Sequence, residues 1–145
     1  MPESPKIPSC RSEFLQDFAM SLGRHLPSSA EGWRSFDTEV DFCEHEGESL
    51  ERLGVWITTY YGTQTSLNLW EDQSIWVEVA LLPRNQDNFQ IGFYPDFALL
   101  GLDRLAEALI ESVSVSTRLC YDESPEPLLR QIWSHSGEVE IEGVI

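Results

Sequence analysis

Cys43-Glu44-His45-Glu46 is the densest run of functional side chains in the sequence, placing a potential thiolate, an imidazole and two carboxylates within four residues. That inventory would suit nucleophilic catalysis if the sulfur and the imidazole touched. On a strand, however, Cys43 and His45 share a face at a spacing of about 7 Å, too far for the hydrogen bond by which a base activates a nucleophile. The run therefore reads as the solvated end of an acidic strand. No phosphate-cradling glycine loop, Gly-x-Ser-x-Gly or His-Glu-x-x-His occurs, and the expectation is a protein with no catalytic residues and no cofactor.

Two rows of acid stand out. Asp37, Glu39 and Asp41 alternate with Phe36, Thr38, Val40 and Phe42, and Glu138, Glu140 and Glu142 alternate with Val139 and Ile141. A period of two puts the acids on one sheet face and the apolar residues on the other. Calcium or magnesium would accept such hard ligands, but a strand row spreads its carboxylates apart instead of converging six or more oxygens, so no metal is expected. Same-face neighbours in a row repel by about 0.6 kcal/mol per pair in water and by more near a protein surface. Like charges in a row burden the free fold, which points to an offset from outside it. The three histidines, His25, His45 and His135, are scattered, and His135 follows a predicted helix end where the dipole favours it.

The whole chain narrows the partner class. Its 145 residues suit one domain, and 41% hydrophobic residues suffice for a core. A formal net charge of -16 repels phosphate backbones and anionic lipid, which argues against nucleic-acid and membrane partners and favours basic proteins. Lysine occurs once, as Lys6, and the arginines stand singly. Cys10, Cys43 and Cys120 match neither a zinc spacing nor a disulfide framework and read as reduced thiols. No apolar leader or membrane-length run is visible, so a cytoplasmic location is expected.

Stepping along the chain, three prolines predict a flexible arm over residues 1–8, followed by a single α+β domain over 9–145. Phe14, Leu15, Phe18, Leu22 and Leu26 form a helical stripe, predicting a first helix from Cys10 to His25 that ends before Pro27. Strands are predicted at Trp33 to Cys43, Val55 to Tyr61, Ser66 to Trp70, Ser74 to Leu82 and Phe89 to Tyr94. Their short connections, including Gly62-Thr63-Gln64 and residues 83–87, indicate antiparallel hairpins. Asp96 caps a second helix carrying Leu102, Leu105, Ala106, Leu109 and Val113, with Gly101 weakening its first turn. Pro127 opens a short third helix through Trp133, and Glu138 to Ile145 forms a last strand. The expected fold is an antiparallel sheet of five to six strands with two or three helices packed mainly on one face.

Sorting strand residues by face sets Phe36, Val40, Phe42, Val55, Ile57, Leu67, Leu69, Ile75, Val77, Val79, Leu81, Phe89, Ile91 and Phe93 under the helices. The other face collects Asp37, Glu39, Asp41, Trp56, Tyr60, Trp70, Trp76, Glu78 and Tyr94. Aromatic anchors dominate binding hot spots and acids steer a basic partner, so Asp37, Glu39, Asp41, Trp56, Tyr60, Trp76 and Glu78 are the predicted partner-binding residues. The alternative is that these aromatics are ordinary core, covered by a helix, a loop or a second copy of the chain.

In size, acidity and helix–sheet–helix order the chain is similar to class I secretion chaperones and to many immunity proteins that neutralise bacterial toxins. That similarity is one of type, rests on no motif and transfers no residue roles. The expected function is a small acidic protein-binding domain that neutralises or escorts a basic partner, such as a nuclease toxin or a secreted effector. Two alternatives use the same side chains: a carbohydrate-binding or carbohydrate-hydrolysing domain, with aromatics stacked on sugar rings, and a non-catalytic homodimer.

Overall fold

The computed structural model describes residues 8–26, 32–60, 62–81, 89–119, 126–133 and 136–142. The predicted arm apart from Pro8, the 83–87 connection, Tyr61, Cys120 and His135 lie outside the described residues. Helix α1 (Glu13–His25) precedes strands β1 (Trp33–His45), β2 (Glu48–Thr59), β3 (Gln64–Trp70), β4 (Ile75–Leu81) and β5 (Phe89–Pro95). Helices α2 (Phe97–Leu119) and α3 (Glu126–Ile132) follow, and β6 (Ser136–Glu142) closes the order. The strands form one antiparallel sheet in the order β1-β2-β3-β4-β5-β6. This is the α+β class read from the sequence.

Local chemistry sets the boundaries, and in several places corrects the predicted ones. Helix α1 starts at Glu13 and not at Cys10, because Ser12 is extended (φ -66°, ψ 127°) and its hydroxyl accepts from the Leu15 amide at 3.4 Å. Strands β1 and β2 are longer than expected and meet at a two-residue turn. Glu46 (φ 52°) and Gly47 (φ 85°) both take the left-handed conformation there, the geometry whose twist matches paired strands. Asp96 does cap α2, accepting from Ala98 N at 2.9 Å. Gly101 (φ 78°, ψ 169°) does more than weaken the first turn, since it interrupts the helix with a kink. The last strand begins at Ser136 and not at Glu138, so Gly137 lies inside β6.

The helices share one sheet face. Leu15, Phe18 and Leu22 of α1, Leu105, Ala106, Leu109 and Val113 of α2, and Leu129, Ile132 and Trp133 at the end of the fold pack against Leu53, Val55, Ile57, Leu67, Val77, Ile91 and Phe93. One residue of the predicted core face departs from it. Phe42 is 54% exposed, because β1 is an edge strand running past the helices, and the Arg11 guanidinium lies 5.7 Å from its ring centroid. No described helix is long and apolar enough to cross a membrane.

An acid that the sequence places in a charged stretch is buried. Glu51 is 2% exposed, and its two carboxylate oxygens accept from the amides of Arg11 at 2.8 Å and Ser12 at 2.7 Å. The donors lie at the entry to α1, where backbone N–H groups have no helical partner and the helix dipole favours negative charge. Glu51 thus ties the first helix to β2. Beside it, burial and the Glu51 charge push the Cys10 thiol up to about 11, so Cys10 stays protonated at neutral pH.

Candidate functional site

The face away from the helices is continuous across the sheet. Asp37 pairs with Trp56, Asp41 with Arg52, Trp56 with Ser66, Ser66 with Glu78, Asn68 with Trp76, and Glu78 with Gly92. Antiparallel partners share a face, so Asp37, Glu39, Asp41, Trp56, Trp76 and Glu78 lie together as the period of two predicted. In register, Glu138, Glu140 and Glu142 fall opposite Tyr94, Gly92 and Gln90. Tyr60 is set apart: β2 ends at Thr59, and Tyr60 stands in the following turn, 73% exposed.

The repulsion along the acid row is offset from within. Arg52 donates from Nε to Asp41 Oδ1 at 3.0 Å and from Nη2 to Asp41 Oδ2 at 2.7 Å, a forked pair. Its Nη1 donates to Asn68 Oδ1 at 2.9 Å, and Glu39 lies 3.5 Å away. The same guanidinium sits 5.7 Å from the centroid of the Trp56 ring. Desolvation pushes the Asp41 carboxyl up, but hydrogen bonds from Arg52 and Cys43 and the Arg52 charge outweigh it, holding the carboxyl below its ordinary value. Asp41 therefore has a role inside the fold, whereas Asp37 is exposed. Glu78 is engaged by the Gln90 side chain, whose amide nitrogen faces the carboxylate, 3.1 Å from Oε2.

A lowered folded pKa contributes stability above the unfolded value near 3.8 and loses it as the pH falls through the folded value. Asp41→Asn should accordingly cost about 1 to 2 kcal/mol at pH 7. Urea titrations at pH 7 and at about pH 3 check this: the gap between wild type and variant should narrow on acidification, and a gap that stays constant would show that the Asp41 charge is not what Arg52 uses.

Two glycines form the beds for two tryptophans. A Cβ on Gly54 would meet the Trp56 ring at 2.4 Å, and one on Gly92 would meet the Trp76 ring at 1.9 Å. Both indoles therefore lie against bare backbone and are half-buried, with no described helix packed over them. Glycine inside a strand is the sequence signal for such close approach, and it could have located both beds.

At one end of this face the β1–β2 turn, the β3–β4 turn and the end of β5 enclose a pocket of about 500 Å³. Trp70, Trp76, Tyr94, His45, Glu46 and Pro95 line it. His45 stacks on Trp70 with centroids 4.3 Å apart and planes 11° apart, and Trp76 and Tyr94 meet at 4.6 Å. His45 is thus no solvated strand end but a wall of the pocket. Among the described residues, His45 Nε2 and Trp70 Nε1 are sealed from solvent with no hydrogen-bond partner, an omission that costs about 1 to 3 kcal/mol per group. Cys43 is turned to other use, its Sγ donating to Asp41 Oδ1 at 3.0 Å, and that hydrogen bond and burial raise its pKa. His45, Glu46 and Asp72 offer ligand atoms within 4.8 Å of one another.

No protein-family model, curated protein or solved structure matches the chain. The residues and their geometry therefore carry the functional argument alone.

Proposed function

We propose that the protein is a non-enzymatic, cytoplasmic interaction domain whose sheet face opposite the helices binds a basic protein partner and neutralises or escorts it. The observation that carries this reading is the composition of that face. Half-buried Trp56, Trp70, Trp76 and Tyr94 stand among acids on a sheet surface over which no described helix packs, in a chain of net charge -16. Aromatic side chains held flat and rigid are suited to act as hot spots, and the acid around them steers a cation-rich surface into place. Asp37 supplies an exposed acid and Trp56 and Trp76 half-buried aromatic contacts, with exposed Tyr60 standing in the turn beyond β2. Glu39, Asp41 and Glu78 also carry internal roles, so their removal acts on fold and binding together.

Purification of the tagged chain from its source cells, followed by kinetics with the recovered partner, tests the reading. The partner should be basic, and its association rate should fall at least tenfold between low and high ionic strength as salt screens the steering charges. A rate unchanged by salt, or a neutral partner, would remove charge as the basis of recognition.

A further inference from the structure

We infer that the pocket between the β1–β2 and β3–β4 turns receives an arginine side chain of the partner, making it the anchor point of the surface just proposed. This rests on that reading for the partner's existence but on separate observations for its chemistry. The walls are aromatic: Trp76 and Tyr94 form a tilted pair with centroids 4.6 Å apart, and Trp70 carries stacked His45 at 4.3 Å. Faces of this kind attract a cation through the ring quadrupole, and they favour the flat, weakly hydrated guanidinium over the compact ammonium of lysine.

The rim is anionic. Glu46 lines the pocket, Glu48 is the strand partner of pocket-lining His45, and Glu71 and Asp72 are exposed in the β3–β4 turn. Arg52, a cation on the same face, is committed to Asp41 by two hydrogen bonds. Glu46 takes a left-handed backbone (φ 52°) in the two-residue turn, and its exposed carboxylate can accept a forked donor. The volume, about 500 Å³, leaves room for the arginine stem and its flanking backbone.

The test uses the whole chain, with a capped Gly-Arg-Gly peptide and its citrulline counterpart, which keeps the shape of arginine without the charge. Indole N–H signals are followed by NMR. The arginine peptide should shift the Trp70 and Trp76 signals saturably, and the citrulline peptide should bind at least fivefold more weakly. Glu46→Gln should erase most of that difference, and Trp76→Leu should weaken the arginine peptide while melting confirms that the fold persists. Equal binding of the two peptides, no saturable shift, or shifts centred on Trp56 would overturn the proposal. Shifts produced by zinc and reversed by EDTA, with none from the arginine peptide, would overturn it in favour of a metal site at His45, Glu46 and Asp72. If the arginine peptide binds but no basic partner exists, the surface reading fails and the pocket stands. If the partner binds Glu46→Gln and Trp76→Leu as tightly as wild type, the pocket fails and the surface reading stands.

Discussion

Glu51→Ala is expected to lower the free energy of unfolding by about 3 kcal/mol, more than any change on the acidic face. The carboxylate is almost wholly buried and holds the amides of Arg11 and Ser12 at 2.8 and 2.7 Å. Hydrogen bonds to a charged group are worth about 1.5 to 3 kcal/mol each, and leaving buried donors unpaired adds desolvation. Some of the loss will be recovered by water entering at the partly buried amides. Glu51→Gln keeps one acceptor oxygen but points an NH2 group toward a donor, so it should cost roughly half as much. Chemical denaturation measures both. Hydrogen exchange adds a positional check, because the amides of Leu15 and Phe18 should lose protection before those of β3. A loss below about 1 kcal/mol would mean that the start of α1 is held by its apolar face and not by Glu51.

Gly92→Ala is the second large effect, and its cause lies in a neighbour. The backbone at Gly92 is ordinary strand, where alanine is tolerated and restricts the unfolded chain. The added Cβ would nevertheless fall 1.9 Å from the Trp76 ring, so the indole must leave its bed. Displacing a packed side chain costs about 1 to 3 kcal/mol. In a Trp76→Ala background the same change should be neutral or slightly stabilising, giving a coupling energy of about 2 kcal/mol in the double-mutant cycle. Tryptophan fluorescence of the single Gly92→Ala variant should shift to the red as Trp76 enters water. Additive effects in the cycle would show that Gly92 is kept for a reason other than Trp76.

The roles of Glu51 and Gly92 depend on neighbours distant in the chain. The division of the sheet into an apolar and an acidic-aromatic face was legible, because strand parity is a local property. Asp37, Trp56, Ser66 and Glu78 fall in line across four strands through registers that preserve it. Helix α2 was legible from Asp96 and its stripe for the same reason. The two-residue turn at Glu46 and Gly47 also has a local signal, glycine in second place of a tight hairpin.

What the chain alone determined was the local periodicity, the charge and the class of fold that follows from them. Tertiary structure decided how the charges are spent. Whether Asp41 waits for a partner or holds Arg52 depends on the β1–β2 register, which sets residues eleven apart side by side. Whether Glu51 faces water depends on where the entry to α1 comes to rest, 39 and 40 residues away in the chain. The pocket joins His45, Trp70, Trp76 and Tyr94, and only the closing of separate hairpins brings their rings together. Burial and pairing are properties of contacts between distant segments, and no local pattern of residue types encodes them by itself.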